Sequence, residues 1–254
     1  MALARCKPVY TVQSSSIAHA LAAATLSKYY VQPNLPPSVE SSLAASSGLE
    51  SKFNSIPEAI EAIQKGQVII VVDNEDRENE GDFVWAAEES TDELLAFVIR
   101  YSGGVICVPM PGERLDTLML PLMVTNNEDS LKTAYTISVD YKHGTTTGIS
   151  SHDRARTLAA LSNPATLPTD LQRPGHVFPL RAVEGGVLKR VGHTEASLDL
   201  CRLAGKQPCA GISEVVLDAG GMARRDDLLR MAKGWGMCVV TIDALVRYRV
   251  ANGV

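Results

Sequence analysis

The most constraining feature of this sequence is an acidic stretch, Asp73–Asp82, which lies between two apolar runs, Val68–Val72 and Phe83–Ala87. The apolar runs predict two buried strands, and strands so close in sequence are normally joined by a turn of about two to five residues. The connecting segment instead carries five carboxylates in eight consecutive positions, with Arg77 as its single base. Like charges at this density repel one another, whereas hard divalent cations prefer clustered oxygen ligands. The stretch therefore predicts a cation site, against the alternative of a solvated acidic loop.

The chain of 254 residues has a net charge of -5 and is 45% hydrophobic, an ordinary composition for a globular protein. The negative charge argues against a nucleic-acid-binding surface. No apolar run reaches the roughly 18 residues that a membrane span needs, so we expect no membrane segment. The cysteines are scattered without metal-ligand spacing, which predicts reduced and mostly buried thiols: Cys6, Cys107, Cys201, Cys209 and Cys238.

Residues 1–52 differ in composition from the rest of the chain. No acidic residue occurs between Met1 and Val39, and Ser and Ala are abundant there. This composition fits an organelle-targeting segment, but Arg is scarce and a disordered tail fits equally well. We therefore expect a tail over residues 1–52 and one folded domain over residues 53–254. The location would be cytoplasmic, or an organelle if the tail is a targeting segment.

Helical and strand-like segments alternate along the predicted domain. Ser55-Ile56-Pro57-Glu58 is a capping box that predicts a helix, and Ser90-Thr91-Asp92-Glu93 predicts another. The alternation predicts an α+β fold, an α/β-like mixed sheet flanked by helices in a single domain. Further helices are expected over 113–120, after Ser151, from His193 or Thr194 to Gly205 and over 225–233, and strands over 67–73, 83–87, 105–108 (stopped by Pro109), 134–141, 211–217 and 237–242.

Several residues outside the acidic stretch carry groups suited to an anionic substrate. Arg77 and Arg190 offer bidentate donors for a phosphate or an enediolate. His193 is a candidate metal ligand or base. Glu214 lies in an apolar run, where burial would raise its pKa and suit a general acid or base, but a solvent-facing position is an equally good interpretation. The hydroxyl-rich run His143–Gly148 could bind a phosphate or form a simple tight turn.

Four motifs that occur in order carry a family resemblance. They are Asp76–Asp82 (DRENEGD), Lys142–Gly148 (KHGTTTG), Arg173–Leu180 (RPGHVFPL) and Gly192–Ala196 (GHTEA). Together they resemble 3,4-dihydroxy-2-butanone 4-phosphate synthase of riboflavin biosynthesis, over a region from about residue 55 to about residue 248. The resemblance implies that family's fold and a homodimer with active sites at the subunit interface. The chain lacks the zinc-binding cysteine cluster of the second domain found in some relatives, so the monofunctional form is expected.

The resemblance also implies roles for individual residues. Glu78 and His193 would bind the metal, Mg²⁺ or Mn²⁺, with two ions per site. Thr147 and His176 would complete the site from the partner subunit. The catalytic groups would be Glu78, Asp82, Glu214, His176 and Thr147, and substrate contacts would come from Arg77, Glu78, Asp82, Arg190, Val191, Gly192, His193, Thr194 and Glu214.

The implied substrate is D-ribulose 5-phosphate, and the implied products are L-3,4-dihydroxybutan-2-one 4-phosphate and formate. Metal-assisted enediol formation, dehydration and a skeletal rearrangement would precede the loss of C4. One competing interpretation is a metal-dependent pentose-phosphate isomerase or aldolase, which the product mass would distinguish. Another is a cation- or nucleotide-binding module without catalytic activity, which would bind Ca²⁺ or a nucleotide tightly and no sugar phosphate.

Overall fold

A mixed sheet organises the part of the chain that this computed structural model describes, which comprises residues 36, 37, 39 and 52–254. Its strands are β1 (Ile69–Val72), β2 (Gly81–Ala86), β3 (Cys107–Met110), β4 (Val139–Tyr141), β5 (Leu171–Arg181), β6 (Ala210–Glu214) and β7 (Val239–Thr241). They lie in the order β4-β5-β3-β6-β2-β1-β7. The α-helices are α1 (Ile56–Gln64), α2 (Asp92–Tyr101), α3 (Gly112–Thr117), α4 (Ser151–Ser162), α5 (His193–Leu203), α6 (Arg225–Trp235) and α7 (Ile242–Asn252).

Parallel and antiparallel pairing coexist in this sheet. β7 runs parallel to β1, and β5 runs parallel to β3, whereas the other neighbouring strands pair antiparallel. The α+β class with a mixed sheet is therefore confirmed. The register also matters for the site, because Asp82 of β2 lies opposite Glu214 of β6 and opposite Val71 of β1. Two carboxylates that are 132 positions apart in sequence thus become neighbours across the strand ladder.

All residues of β2 are buried, as are those of β1 and β3. Phe83 packs against Phe97 of α2 and Trp235 of α6, with ring centroids 5.5 and 5.7 Å away. Each such aromatic side chain contributes about 1.5–3 kcal/mol when fully buried. This packing fixes the strand that carries Asp82 at its start.

Two predicted helix starts have different outcomes. The capping box at Ser55 is confirmed, because its hydroxyl accepts from the Glu58 N–H and its own N–H donates to the Glu58 carboxylate. The prediction of a capping box from Ser90 is wrong, since Thr91 caps α2 by accepting from the Leu94 N–H. Ser90 instead accepts a hydrogen bond from the Trp85 indole at 2.9 Å. A buried indole N–H needs a partner, and that need decides the role of the serine.

Other differences also have physical causes. β3 was expected to stop before Pro109 but continues through it to Met110. On its β6 side, β3 pairs only at Cys107, so the missing proline N–H falls beyond that ladder. The predicted strand over 134–141 is regular only at Val139–Tyr141, and its earlier part makes isolated bridges. α7 was not predicted. It follows β7 directly, and its N-cap is Thr241, a residue that was expected to lie within the last strand.

Some predictions concern parts of the chain that are described only in part. The predicted tail, residues 1–52, lies outside the described residues except for Pro36, Pro37, Val39 and Lys52. Of the four cysteines described, none is in a disulfide and three are buried. Among the described residues, no helix is both long enough and apolar enough to cross a bilayer.

Candidate active site

The acidic stretch forms a loop between β1 and β2 that wraps around the side chain of Asp73. This carboxylate is only 2% exposed. It accepts hydrogen bonds from the backbone N–H groups of Glu78 and Glu80, both at 2.9 Å, and from Arg77 Nη1 at 3.0 Å. The negative charge of Asp73 is thus compensated by the N–H groups and the guanidinium around it, and these bonds give the loop a defined shape.

Glu78 and His193 meet across the cleft, as the resemblance implied. Glu78 Oε2 lies 3.3 Å from His193 Nδ1 and 3.0 Å from Arg77 Nη1. His193 Nε2 lies 3.1 Å from the backbone oxygen of Val71. A carbonyl oxygen only accepts, so Nε2 carries a proton and Nδ1 is the ring nitrogen that faces the carboxylates.

Asp82 is the most unusual carboxylate of the site. It is 4% exposed, and its Oδ1 atom has no hydrogen-bond partner. That atom lies 3.9 Å from His193 Nδ1. An unpaired buried carboxylate oxygen is costly unless a ligand or an ion satisfies it. Its position therefore indicates where a substrate group or a cation is bound.

Burial and neighbouring charges shift the pKa values of these groups. Burial raises the pKa of Asp82 to about 7, against the opposing attraction of His193. Burial by itself would lower the pKa of His193, but the carboxylates of Asp82, Glu78 and Asp73 together raise it to about 9. Burial opposes ionisation of Glu78 as well, yet His193 and Arg77 hold its pKa below the usual value. Among these three groups Asp82 is the carboxyl whose pKa is raised, and burial also raises the pKa of Glu80 in the same loop.

The donor set fits a divalent cation. Ligand atoms of Asp73, Glu78 and His193 lie within 4.8 Å of one another. Asp73 already accepts bonds on both of its oxygens, which leaves Glu78 and His193 as the ligand pair. Carboxylate and imidazole ligands suit Mn²⁺, and oxygen ligands completed by water suit Mg²⁺.

A cleft of about 60 Å³ surrounds these groups. Ligand pockets typically span about 300–1,000 Å³, so this cleft suits ions and the reacting end of a substrate better than a whole sugar phosphate. Most of the predicted site residues line it: Arg77, Glu78, Asp82, Arg190, His193, Thr194 and Glu214. Five further lining residues were not predicted as site residues: Cys107, Thr133, Tyr135, Leu180 and Ile212.

Arg190 and Thr194 reach the cleft because a sharp turn precedes α5. Arg190 Nη1 pairs with the buried carboxylate of Glu195 at 2.6 Å, and its Nη2 donates to the backbone oxygen of Leu131. Gly192 is the N-cap of α5, and a Cβ there would lie 2.6 Å from Arg190 Nη1. Gly192 therefore allows the close approach of the arginine, although neither it nor Val191 lines the cleft.

Glu214 lines the cleft in a half-buried position. Cys107 and Tyr135 are near neighbours there, with Sγ and Oη 3.9 Å apart. Burial, followed by the charge of Glu214, raises the pKa of the Cys107 thiol. Cys107 was missed because its run reads as an ordinary apolar strand, and only pairing with Ile212 of β6 brings it to the site.

Thr147 and His176 belong to a second cluster and do not line this cleft. His176 Nδ1 lies 2.7 Å from Asp140 Oδ2, and its backbone N–H donates to Asp140 Oδ1. Gly148, at a φ of +99°, packs so tightly that a Cβ would collide with the same Asp140 carboxylate. The clamp by Asp140 leaves Nε2 of His176 as the ring nitrogen available to a ligand, on a side chain that is 41% exposed.

A larger cavity, of about 640 Å³, lies between the start of α1, Arg225 and α7. It touches the acidic loop through Asn74 and Glu75 but contains none of the predicted site residues. No histidine lines it. The chemistry is therefore placed in the smaller cleft.

Comparison with known proteins identifies the family of this chain. The sequence profile of the 3,4-dihydroxy-2-butanone 4-phosphate synthase family matches residues 57–248. A protein of that name from Agrobacterium fabrum is 56% identical over 193 residues, which are 76% of this chain and 91% of the relative. A riboflavin biosynthesis protein of Arabidopsis thaliana, named as monofunctional and chloroplastic, is 52% identical over 78% of this chain and 42% of its own length.

A solved structure is also similar. It is a 3,4-dihydroxy-2-butanone 4-phosphate synthase in complex with two magnesium ions, with a TM-score of 0.76 and 48% identity. The match covers 79% of this chain and 99% of that one. This chain therefore belongs to the 3,4-dihydroxy-2-butanone 4-phosphate synthase family.

Proposed function

We propose that this enzyme converts D-ribulose 5-phosphate into L-3,4-dihydroxybutan-2-one 4-phosphate and formate. The observation that carries the proposal is the meeting of Glu78, His193 and Asp82. Glu78 and His193, which suit a divalent ion, lie beside the buried carboxylate of Asp82. That carboxylate has an oxygen without a hydrogen-bond partner and a raised pKa. Arg77 and Arg190 line the same cleft and supply positive charge for an anionic substrate.

Glu78 and His193 would hold the cation, and the relative that binds two magnesium ions supports Mg²⁺ in that number. Mn²⁺ stays a prediction that a metal titration can test. A bound divalent cation would polarise the C2 carbonyl of the substrate and so acidify the proton at C3. His193 is held for this role by its bond to the Val71 carbonyl, which fixes the ring with Nδ1 towards Glu78.

Asp82 is the best-placed proton carrier of the site. Its pKa of about 7 lets it take a proton from C3 and give one up again near neutral pH. Glu214, opposite Asp82 in the β2–β6 ladder, provides a second carboxylate for the loss of the C1 hydroxyl. Two carboxylates with different surroundings can divide acid and base roles between them.

The phosphate and the other anionic oxygens of the substrate need positively charged and hydrogen-bonding partners in the protein. Arg77, Arg190 and Thr194 would bind the anionic oxygens, and Gly192 and Val191 shape the turn that presents them.

The atoms of the proposed reaction balance. One water is lost at C1 and one water is taken up at C4, where the carbon departs as formate after the skeleton has rearranged. The reaction therefore needs no oxidant and no second organic substrate.

Thr147 and His176 fit the proposal as contributions from a partner subunit in a homodimer. Neither lines the cleft of its own chain, and the cleft is too small for a whole sugar phosphate. His176 is oriented by Asp140 and exposes its other nitrogen. A two-fold dimer would bring each such histidine to the other chain's cleft. The catalytic domain in this proposal spans residues 53–254, which include the matched region.

The location is a separate part of the proposal. The name of the Arabidopsis relative, chloroplastic, favours an organelle over the cytoplasmic alternative. The composition of residues 1–52, free of acidic side chains up to Val39, fits such a segment, although its low Arg content fits a disordered tail equally well. Fusion of residues 1–52 to a fluorescent protein in plant cells tests it, and diffuse cytosolic fluorescence would support the cytoplasmic location.

Incubation of the purified enzyme with D-ribulose 5-phosphate and Mg²⁺ tests the reaction. We expect release of formate and a four-carbon sugar phosphate, both absent after treatment with EDTA. A five-carbon product, or a split into two- and three-carbon fragments, would establish an isomerase or an aldolase instead. Tight binding of Ca²⁺ or a nucleotide without any sugar-phosphate binding would favour the module without catalytic activity.

A further inference from the structure

Two residues that do not line the cleft hold the acidic loop from opposite sides. Asp73 accepts from the N–H groups of Glu78 and Glu80, each at 2.9 Å. Arg224, which immediately precedes α6, donates through Nη1 to the backbone oxygens of Glu78 at 2.8 Å and Asn79 at 2.7 Å. The peptide groups around Glu78 thus have a carboxylate on their N–H side and a guanidinium on their carbonyl side.

The loop needs this support because its backbone turns sharply at the metal-binding position. Asn79, the residue after Glu78, has a φ of +56°, in the left-handed region that asparagine enters more readily than most L residues but still at some cost. Such a conformation persists only where surrounding contacts over-determine it. Arg224 bonds the carbonyl of this very residue and also lies 3.6 Å from the Glu80 carboxylate.

The neighbouring arginine provides an internal comparison. Arg225 also contacts the loop, but through the side chain of Glu75 at 2.9 Å, and that side chain is 60% exposed. An ion pair of this kind contributes little and leaves the backbone free. The contrast lies in the groups that the two arginines bond and not in their own exposure, since Arg225 is the less exposed of the two, at 19% against 47% for Arg224. Charge-assisted bonds to two successive carbonyl groups fix the orientation of the peptide planes. The two arginines are therefore adjacent in sequence but differ in what they can position.

We propose that Arg224 is a positioning residue of the metal site. By fixing the carbonyl groups of Glu78 and Asn79, it holds the Glu78 carboxylate 3.3 Å from His193 Nδ1. Arg224 does not itself touch the ion or the substrate. The inference rests on the proposed function, because that proposal assigns the divalent ion to Glu78 and His193.

Calorimetric titration of the full-length protein with Mg²⁺ alone, without substrate, tests this role. The variants are Arg224→Ala, Arg224→Lys and, as the matched control, Arg225→Ala. We expect Mg²⁺ affinity to fall about 10- to 100-fold in Arg224→Ala, since partners that orient metal ligands typically have effects of this size. Arg224→Lys keeps one donor and should lie between, while Arg225→Ala should stay within about twofold of wild type.

Thermal unfolding in EDTA separates positioning from folding. We expect the metal-free Arg224 variants to melt close to the wild type, and saturating Mg²⁺ to restore most of kcat. If Arg224→Ala does not fold, Arg224→Lys carries the test. Wild-type Mg²⁺ affinity in the folded Arg224 variants, or equal losses in Arg224→Ala and Arg225→Ala, would overturn the inference. A wild-type protein that binds no Mg²⁺ would instead refute the proposed function.

Discussion

Two loops of this enzyme are built in the same way but face different surroundings. In the acidic loop, the buried Asp73 accepts from two backbone N–H groups and from Arg77. In the hydroxyl-rich turn, the buried Asp153 accepts from the N–H and the hydroxyl of Thr146 and from the N–H of Gly148. A buried carboxylate that satisfies several donors gives a short loop one defined shape in both cases.

The difference lies in what each loop presents. The acidic loop directs Glu78 into the chain's own cleft, where His193 and Asp82 are buried. The hydroxyl-rich turn packs against His176, which stays 41% exposed and does not line that cleft. We infer that the first region binds metal within one chain, whereas the second acts on a substrate held by a partner. The predictions below separate these two functions.

The largest effect is expected from Glu78→Gln, which keeps the shape of the side chain but removes its charge. Loss of a metal ligand forfeits several kcal/mol of transition-state stabilisation, so formate release should fall by about 10³-fold. Mg²⁺ binding, measured by calorimetry, should weaken in parallel. Unchanged Mg²⁺ affinity in this variant would show that Glu78 is not a ligand.

His176→Ala should lower kcat by about 10²-fold, because it removes a group that transfers or orients a proton, while Mg²⁺ affinity stays at the wild-type value. The sharper measurement mixes this variant with Glu78→Gln under conditions that exchange subunits. A mixed dimer carries one site with both wild-type halves, so about a quarter of wild-type activity should return if subunits pair at random. A mixture as inactive as its components would mean that the second region serves its own chain.

Gly148→Ala should damage only the second region. Its Cβ would meet the Asp140 carboxylate at a φ of +99°, which disturbs the clamp on His176. We expect a loss of about tenfold in kcat, with Mg²⁺ affinity preserved. Gly144→Ala is the matched control, since its φ is +72° but the new methyl meets only the end of the Arg156 side chain. Equal losses in both variants would attribute the effect to backbone strain alone.

The last prediction is a pH dependence confined to the first region. The raised pKa of His193, about 9, stabilises the metal-free fold fully below the unfolded value of about 6.5, and this contribution is lost as pH rises through 9. The raised pKa of Asp82, about 7, acts with the same sign at lower pH. Metal binding displaces the His193 proton, so Mg²⁺ affinity should rise by up to about tenfold per pH unit below pH 9.

Melting curves with and without Mg²⁺ at pH 6.5 and 8.5 measure this dependence. The increase in Tm caused by Mg²⁺ should be larger at pH 8.5, because a smaller fraction of His193 is protonated there and has to lose its proton. His193→Gln should remove most of the difference between the two pH values. The pH-dependent increase would have another origin if it survived in that variant.

The fold was predictable where local signals and burial agreed. The Ser55 capping box, the apolar runs that became β1 and β2, and Gly66 after α1 follow from short-range chemistry. The predictions failed where a distant partner decided the outcome. Ser90 bonds the Trp85 indole instead of capping a helix, and β3 runs through Pro109 because β5 pairs with it there.

In the candidate site, too, some residues could be predicted from the sequence and others depend on partners that are distant in sequence. The acidic loop and His193 pointed to a cation site without any structure, and the family resemblance of the motifs singled out Glu78 and Asp82. Cys107 and Tyr135 carried no signal, because an apolar strand with a cysteine reads as core. Arg224 could not be predicted either, since its proposed positioning role depends on the backbone carbonyls of Glu78 and Asn79, which are 146 and 145 positions away in sequence.

The sequence by itself determined the kind of chemistry, because carboxylates, arginines and histidines at motif spacing have few other uses in combination. Tertiary structure alone decided how each group behaves. Asp82 and Glu80 are two acids of the same loop. Asp82 is fully buried opposite Glu214 and has a pKa of about 7, while Glu80 is half-buried and Arg224 opposes the rise that burial causes in its pKa. Desolvation and neighbouring charge set a pKa, and both depend on which strands and helices pack around the group.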